Sequence, residues 1–464
     1  MTNRLISLFV AACLPLTVSA QQAIPQFKAG DKVALVGDSI THGGHYHSYI
    51  WLYYMTRFPE MPLTIYNCGV GGDTAGDILN RWEYDVQAKN PTYITLTFGM
   101  NDTGYADVYN LEDTEELAKA RVESSLGNFA GIVDAIEKNS PDASVVMIGG
   151  SPYDETSRKD NNILHGKNSA ITEIIEAQRK AAVEHNWGFV DFNAPMVELA
   201  RKIQAADSAY SFCPQDRIHP DKDGQMVMAW LFLKAQGLAG RKVAAFEVNA
   251  RKRKAVSVEN CSISAIDGDR EGISFDYLAK ALPYPCDSIS EHGWGNINSQ
   301  RDAMKIIPFM EEFNQEVLKV VGLDEGEYVF SIDGQPIDKL SSAELAEGVN
   351  MACYTNTPQY RQASMIMYLN EERLEIEKRF REYVWMEFNM FRNTDQIVAD
   401  NWKSIEMIDE RAPKDWFVGA SNYWYRKSYY PEIREVWQNY IDDIVEKIYS
   451  VNKPVVHRIT LTAE

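Results

Sequence analysis

Between Asp31 and about Leu238, short apolar runs alternate with helical stretches, and this alternation limits the fold more than any other feature of the chain. Lys32–Gly37, Leu63–Asn67, Tyr93–Phe98, Ser144–Gly149 and Gly188–Phe192 read as strands. Tyr46–Phe58, Ala75–Ala88, Glu115–Lys138, Ser169–His185, Pro195–Ala206 and Gly224–Leu238 read as helices. A strand can return parallel to its neighbour only through a crossover. Five strands separated by helices therefore predict βαβ units, a parallel sheet and helices on both faces. In such a sheet the ligand site lies outside the carboxyl ends of the strands. Three polar turns fall at those ends, after the first, second and third strands.

Composition narrows the function classes. The chain has 464 residues, 45% of them hydrophobic and 24% charged, so it is neither disordered nor fibrous and can bury a large core. Its formal net charge is −20, which repels phosphate backbones and argues against nucleic acid as a partner. Past the N-terminus, no apolar run reaches the ~20 residues of a membrane helix, so no integral span is expected. At the N-terminus, Arg4, the apolar run Leu5–Val18 and the triplet Val18-Ser19-Ala20 have the layout of an export signal cleaved after Ala20. Val10-Ala11-Ala12-Cys13 also fits a lipoprotein box, although the apolar run continues past Cys13. Either reading expects a periplasmic or extracellular protein. Five scattered cysteines would remain, an odd number, with Cys261–Cys286 the one pairing singled out for an oxidising compartment.

Four short segments in the first half carry chemistry. Gly37-Asp38-Ser39-Ile40-Thr41 places a serine in a strand-to-helix turn, near helix N–H groups that favour developing negative charge. In Asn67-Cys-Gly-Val-Gly-Gly-Asp73, glycines let the backbone approach a ligand. No Gly-Lys-Ser/Thr follows, so this is not a phosphate loop. Gly99-Met-Asn-Asp102 offers an asparagine amide to an oxyanion. Asp216-Arg-Ile-His219-Pro220 spaces a carboxylate so that it can hold an imidazole tautomer. DxxH also fits a metal pair, but a third ligand is not evident. Each segment alone is ambiguous: a tight turn, a capping Asn, a structural His.

In order and spacing the four segments resemble the blocks of the SGNH (GDSL) hydrolase family, over about residues 31–240. The resemblance implies a three-layer α/β/α sandwich of flavodoxin-like topology, which agrees with five parallel strands. By motif position it implies Ser39 as nucleophile, Asp216 and His219 as its partners, and an oxyanion hole of the Ser39 and Gly72 N–H groups with the Asn101 side chain. Acyl transfer of this kind needs neither metal nor organic cofactor. The α/β-hydrolase elbow is disfavoured, because no serine has a glycine on both sides in GxSxG spacing. Asp38, His42, His45, Asp73 and Asp102 are candidate substrate contacts. His42, His45 and His47 follow Ser39 closely and could line the site or bind a metal, although histidines so placed are more often polar surface near a loop.

The sequence divides into residues 1–20 as signal, 27–245 as the hydrolase domain and 246–464 as an α+β extension that could serve as a lid or recognition region. In the extension, Ala255–Leu282 alternates like β-structure, with a turn at Asp267-Gly268. Arg301–Val321 reads as helix, Glu327–Ile332 as a strand and Asp333-Gly334 as a hairpin turn. Ser341 and Glu344 have capping-box spacing, Pro358–Phe391 and Pro431–Tyr449 read as helices, and Arg458–Thr462 as a last strand. Arg251–Lys254 reads as a solvated basic turn. His292–Gly295 and Asn356–Tyr360 are loops that could cover the catalytic edge. Residues 416–440 hold nine aromatics, which fit a core or a sugar-stacking surface, the core being the safer reading. An exported hydrolase domain with such an extension points by analogy to O-acetyl removal from an acylated glycan. A lipolytic esterase or thioesterase, and a non-catalytic glycan-binding protein, stay open.

Overall fold

The computed structural model describes residues 23–159, 163–289, 297–391 and 400–464. The proposed signal, Cys13 and the His292–Gly295 loop lie outside them. Strand β1 (Lys32–Gly37) is buried on both sides: Val33 and Leu35 enter one apolar core, Ala34 and Val36 the other. Such two-faced burial marks a central parallel strand. After β1 come α1 (Ser39–His42) and α2 (Tyr46–Arg57), and β2 (Thr64–Gly69) leads to α3 (Ala75–Arg81). Next are β3 (Tyr93–Leu96), α4 (Ala106–Tyr109), α5 (Thr114–Asn139), β4 (Ser144–Gly149) and α6 (Lys167–Glu184). The half closes with β5 (Gly188–Asp191), α7 (Asn193–Gln204) and α8 (Lys222–Ala235). The five strands are all parallel, in the order β2-β1-β3-β4-β5. Helices α2, α7 and α8 cover one face, α3 and α5 the other, and α6 reaches both cores. This is the three-layer α/β/α sandwich expected from the sequence. The chain reverses direction across the sheet between β1 and β3, so the switch point lies beside Ser39.

The second half begins with β6 (Ala244–Asn249), β7 (Lys254–Glu259), β8 (Cys261–Gly268) and β9 (Gly272–Ala279). It continues through α9 (Phe309–Phe313), β10 (Glu316–Val321), β11 (Glu327–Ile332), β12 (Gln335–Ser341), α10 (Ser342–Glu347) and β13 (Val349–Asn350). Helices α11 (Pro358–Trp385), α12 (Trp402–Arg411), α13 (Trp416–Ser428) and α14 (Pro431–Val451) precede β14 (His457–Ala463). Two sheets, β13-β10-β6-β7 and β12-β11-β14-β9-β8, enclose a core that includes Phe246, Phe275, Leu318, Phe330 and Ile459. A separate apolar core runs without a break from α2 and α8 through Tyr284, Phe309 and Phe313 to Ile366 and Met367 of α11 and Ile448 of α14. The helices of the extension are thus packed onto the first half. Among the described residues, no helix is long and apolar enough to cross a membrane.

Several sequence expectations need correction. Arg301–Val321 is not one helix: Pro308 separates a short 3-10 turn from α9, and α9 ends at Phe313 before β10, whose sequence EVLKVV alternates buried and half-buried. The helix expected over Ala75–Ala88 leaves α geometry at Trp82, where a wider π turn brings Arg81 and Asp85 into a buried ion pair. Cys261 and Cys286 are both free thiols. Asn356–Tyr360 does not arch over the site: Thr357 caps α11, Pro358 takes its first turn, and Tyr360 is buried. Of the nine aromatics in residues 416–440, Tyr425 and Trp437 are buried, whereas Trp416, Phe417, Tyr423, Tyr430 and Tyr440 are exposed. The Arg251–Lys254 turn and the Ser341–Glu344 capping box match the sequence reading.

Candidate active site

Asp38 follows β1 and caps α1, its Oδ1 accepting from the Ile40 N–H at 2.9 Å. The next side chain, Ser39, has its Oγ 2.8 Å from His219 Nε2. On the other side of the ring, His219 Nδ1 lies 2.5 Å from Asp216 Oδ2. An ionised carboxylate only accepts, so Nδ1 carries the hydrogen and Nε2 is left to accept from the Ser39 hydroxyl. Asp216 Oδ1 also accepts from the Ile218 and His219 N–H groups at 2.8 and 2.9 Å. One carboxylate therefore shapes the loop and orients the ring. Burial works to raise the Asp216 pKa, but the hydrogen bond and charge of His219 and these backbone donors hold it below the usual range. Arg217 between them takes φ 68 and is buried. Its guanidinium donates to the carbonyls of Asp154, Ser157 and Lys159, which anchors the loop.

The loops after β2 and β3 flank this pair. Gly69 has no room for a side chain, because a Cβ there would lie 2.3 Å from His42 N. Gly72 sits at φ +83 with its Cα side open. Asn101 is held at both ends of its amide: Nδ2 donates to the Asp73 carbonyl at 2.9 Å, and Oδ1 accepts from the Tyr105 hydroxyl at 2.7 Å. The second N–H of that amide is left for another acceptor. Buried Lys167 supports the same loop, donating to the Met100 carbonyl and Thr103 Oγ1 at 2.6 and 2.8 Å, with its ammonium 4.1 Å from the Tyr105 ring centre.

A pocket of about 140 Å³ opens beside Ser39 and His219. His42, His45, Gln215, Asp221 and Gln225 form its walls, and Lys378 and Glu382 of α11 complete them. His42 Nδ1 accepts from the Gly71 N–H at 3.2 Å, so Nε2 bears the hydrogen and faces Glu382 Oε1 at 3.6 Å. Burial, with the positive charges of Arg381, Lys378 and Arg81, pushes the His42 pKa down to about 3 and keeps the ring neutral. His45 stacks on Tyr49 at 5.7 Å. Among the described residues, no group of three or more His, Cys, Asp and Glu side chains could hold a metal ion.

Three expected substrate contacts are not in the pocket. Asp38 is buried and acts as a cap; burial outweighs the Ile40 N–H and lifts its pKa to about 6. Asp73 is buried against Arg81 Nε at 2.6 Å. Asp102 is buried, accepting from the Ala75 and Gly99 N–H groups and from Ser125 Oγ. His47 is buried rather than on the surface, its Nε2 donating to the Thr41 carbonyl at 3.0 Å. Sequence reasoning missed Gln225, which accepts from the His45 and Tyr46 N–H groups, and the support of Asn101 by Tyr105 and Lys167. It also missed Lys378 and Glu382, which no local motif could reveal, because they lie more than 150 residues along the chain from every other residue lining the pocket.

With this geometry in hand, residues 35–227 match the model of the GDSL-like lipase/acylhydrolase family, and residues 364–453 that of the diltiazem deacetylase C-terminal helical domain. The solved structure of a gut microbial diltiazem-metabolizing enzyme is 47% identical, with TM-score 0.92, over 96% of this chain and all of that one. The chain belongs to the GDSL-like lipase/acylhydrolase family. It is an ester hydrolase. Two further members are more distant. The acetylxylan esterase of Geobacillus stearothermophilus is 24% identical over 45% of this chain and 95% of its own. Lipase 1 of Streptomyces coelicolor is 27% identical over 40% of this chain and 79% of its own. Each of these two matches covers less than half of this chain, whereas the match to the diltiazem-metabolizing enzyme covers 96% of it.

Proposed function

We propose that this ester hydrolase removes acetyl groups from small ring-bearing alcohols through a Ser39–His219–Asp216 acyl-enzyme mechanism. The observation that carries the reading is the 2.8 Å approach of Ser39 Oγ to a His219 ring whose other nitrogen is bound to Asp216. His219 Nε2 takes the Ser39 proton as Oγ attacks the acetyl carbonyl. The Ser39 and Gly72 N–H groups and the Asn101 amide receive the negative charge that develops on oxygen. His219 then returns the proton to the departing alcohol. Water, activated by the same nitrogen, releases acetate and regenerates Ser39.

The size and lining of the pocket favour acetyl over a long acyl chain. Among its described lining residues, Ile40 and Pro220 are the only ones with apolar side chains of any size. The full-length likeness to a diltiazem-metabolizing enzyme favours a compact, polycyclic acetate. A second reading, an acetylated sugar, is favoured by an aromatic cluster that begins at Trp385, whose Nε1 bonds the Gly71 carbonyl. Trp385 stacks on Phe417 at 5.8 Å, and Phe417 meets exposed Trp416 at 5.0 Å. Flat exposed rings suit a pyranose face as well as an aromatic one. Residues 1–20 are proposed as an export signal, and N-terminal sequencing of the exported protein should begin at Gln21.

Acetate release from diltiazem, from acetylated xylo-oligosaccharides and from p-nitrophenyl esters of two to eight acyl carbons tests the proposal, with Ser39→Ala as control. The expected result is hydrolysis of the acetyl esters that falls with chain length and vanishes in the variant. A rate that rises with chain length would move the assignment to lipolysis. Equal rates for wild type and Ser39→Ala would remove the proposed nucleophile.

A further inference from the structure

Helix α11 runs alongside the loop that bears Gly72, and four side chains, spaced by four residues along α11 and the turn that follows it, meet that loop every second residue. Glu377 Oε1 accepts from the Asn67 N–H at 2.8 Å. Arg381 Nε donates to the Gly69 carbonyl at 2.8 Å. Trp385 Nε1 donates to the Gly71 carbonyl at 3.0 Å. Asn389 Nδ2 approaches Asp73 Oδ1 at 3.4 Å. The match has a geometric basis. Four helical residues advance about 6.0 Å and two extended residues about 6.6 Å, so the two repeats stay in step for a few contacts. Past Trp385 the helix widens into a π turn over Met386–Phe391, which presents Asn389 to the loop.

These contacts are firmly seated. Arg381 is buried, and both its terminal nitrogens bond Asp85, which is shared with Arg81. Arg81 in turn donates to the carbonyls of Gly37 and Cys68, at the ends of β1 and β2. Burial alone would raise the Asp85 pKa, yet Arg381 and Arg81 hold it far below the ordinary range. Trp385 is held by its stack on Phe417 of α13. The peptide between Gly71 and Gly72 is thus gripped at its oxygen by Trp385, and its N–H belongs to Gly72. A peptide is planar, so fixing the carbonyl direction fixes the N–H direction on its opposite side.

We propose that Trp385, supported by Arg381, is a positioning residue for the Gly72 N–H, so that the C-terminal helices complete the oxyanion hole rather than only covering it. The inference rests on the reading of Ser39 as nucleophile and Gly72 as oxyanion donor. It predicts a change in transition-state binding with little change in substrate binding. Trp385→Phe removes the indole N–H while keeping a ring against Phe417. Losing one neutral hydrogen bond of this kind corresponds to a roughly fivefold to tenfold effect.

The experiment uses the full chain with p-nitrophenyl acetate, and methylboronic acid as a tetrahedral mimic captured by Ser39. For Trp385→Phe, kcat should fall roughly fivefold to tenfold with KM within about twofold, and the boronate inhibition constant should rise by the same factor. Arg381→Lys, which keeps a charge for Asp85 but loses the fixed reach to Gly69, should show the same signature. Wild-type kcat and boronate affinity in Trp385→Phe would overturn the inference. So would a fall in kcat without weaker boronate binding. Loss of activity in Ser39→Ala alongside wild-type behaviour of Trp385→Phe isolates this failure from that of the mechanism. An active Ser39→Ala would sink the mechanism instead.

Discussion

Asn101→Ala is the sharpest perturbation of the proposed oxyanion hole, and the structure sets its size. The Asn101 amide is immobilised by two bonds, to the Asp73 carbonyl at 2.9 Å and from the Tyr105 hydroxyl at 2.7 Å. A donor held this rigidly needs no reorganisation when charge develops. Its removal should cost about 2.7–4 kcal/mol of transition-state stabilisation, or roughly 10²–10³ in kcat. Tyr105→Phe supplies an intermediate step. It keeps the ring over Lys167 but frees one end of the amide, and the loss of about 1 kcal/mol predicts a fall of roughly fivefold. Steady-state hydrolysis of p-nitrophenyl acetate measures both variants, and thermal unfolding in parallel reports any damage to the fold. Truncating Asn101 leaves the Tyr105 hydroxyl and the Asp73 carbonyl without this partner, so a small drop in melting temperature should accompany the loss of activity. The reasoning is refuted if Asn101→Ala retains more than about one fifth of wild-type kcat while folded. It is also refuted if Tyr105→Phe is more damaging than Asn101→Ala.

Three other outcomes are expected. Asp216→Asn keeps an oxygen for the Ile218 and His219 N–H groups but offers an amide donor to Nδ1, so kcat should fall by roughly 10⁴ with the fold intact. Gly69→Ala forces a Cβ against His42 N, and both activity and melting temperature should drop. Glu316, wholly buried beneath Tyr277 and Gln359, has its pKa raised by burial from 4.5 to about 7. The folded chain holds this proton more tightly than the unfolded one, so the stabilisation is complete below about pH 4.5 and lost as pH rises through about 7. Glu316→Gln should remove that loss. The variant's advantage in unfolding free energy should grow between pH 5 and pH 8, to a limit of about 3 kcal/mol. An advantage that shrinks with rising pH would contradict the sign.

How far the sequence reached depended on how local each interaction is. Strand ends are local, so β1 and β4 were delimited from apolar runs and their polar turns alone. The parallel sense of the sheet follows from crossover rules, although its strand order does not, and Ser39, Gly72, Asn101, Asp216 and His219 come from short loop motifs through their resemblance to the family's blocks. Asp73 and Asp102 sit in those same turns and look equally functional in one dimension. Only burial against Arg81 and Ser125 separates them from a carboxylate that faces substrate. The Arg301–Val321 error is of another kind. Charged residues among apolar ones suit either period, and Pro308 was the one local sign that the helix stops. The aromatic cluster divides between core and surface because α13 is half-covered, which composition does not encode.

The α11 contacts lie beyond any local rule. Trp385 and Gly71 are 314 residues apart, and Arg381 and Asp85 are 296 apart. Their energetic meaning also differs from that of the apolar core. A buried ionic cluster of Asp73, Arg81, Asp85 and Arg381 adds little net stability, because desolvation offsets most of the attraction. What it does supply is direction. Arg81 grips the carbonyls that end β1 and β2, and Arg381 grips Gly69, so the backbone leaves the sheet along one path toward Ser39 on one side and Gly72 on the other. Apolar packing of equal strength would hold the layers together without fixing those peptide planes. The extension therefore bears on the hydrolase half in two ways: through the shared apolar core for stability, and through a few charged and indole groups for the orientation of the site.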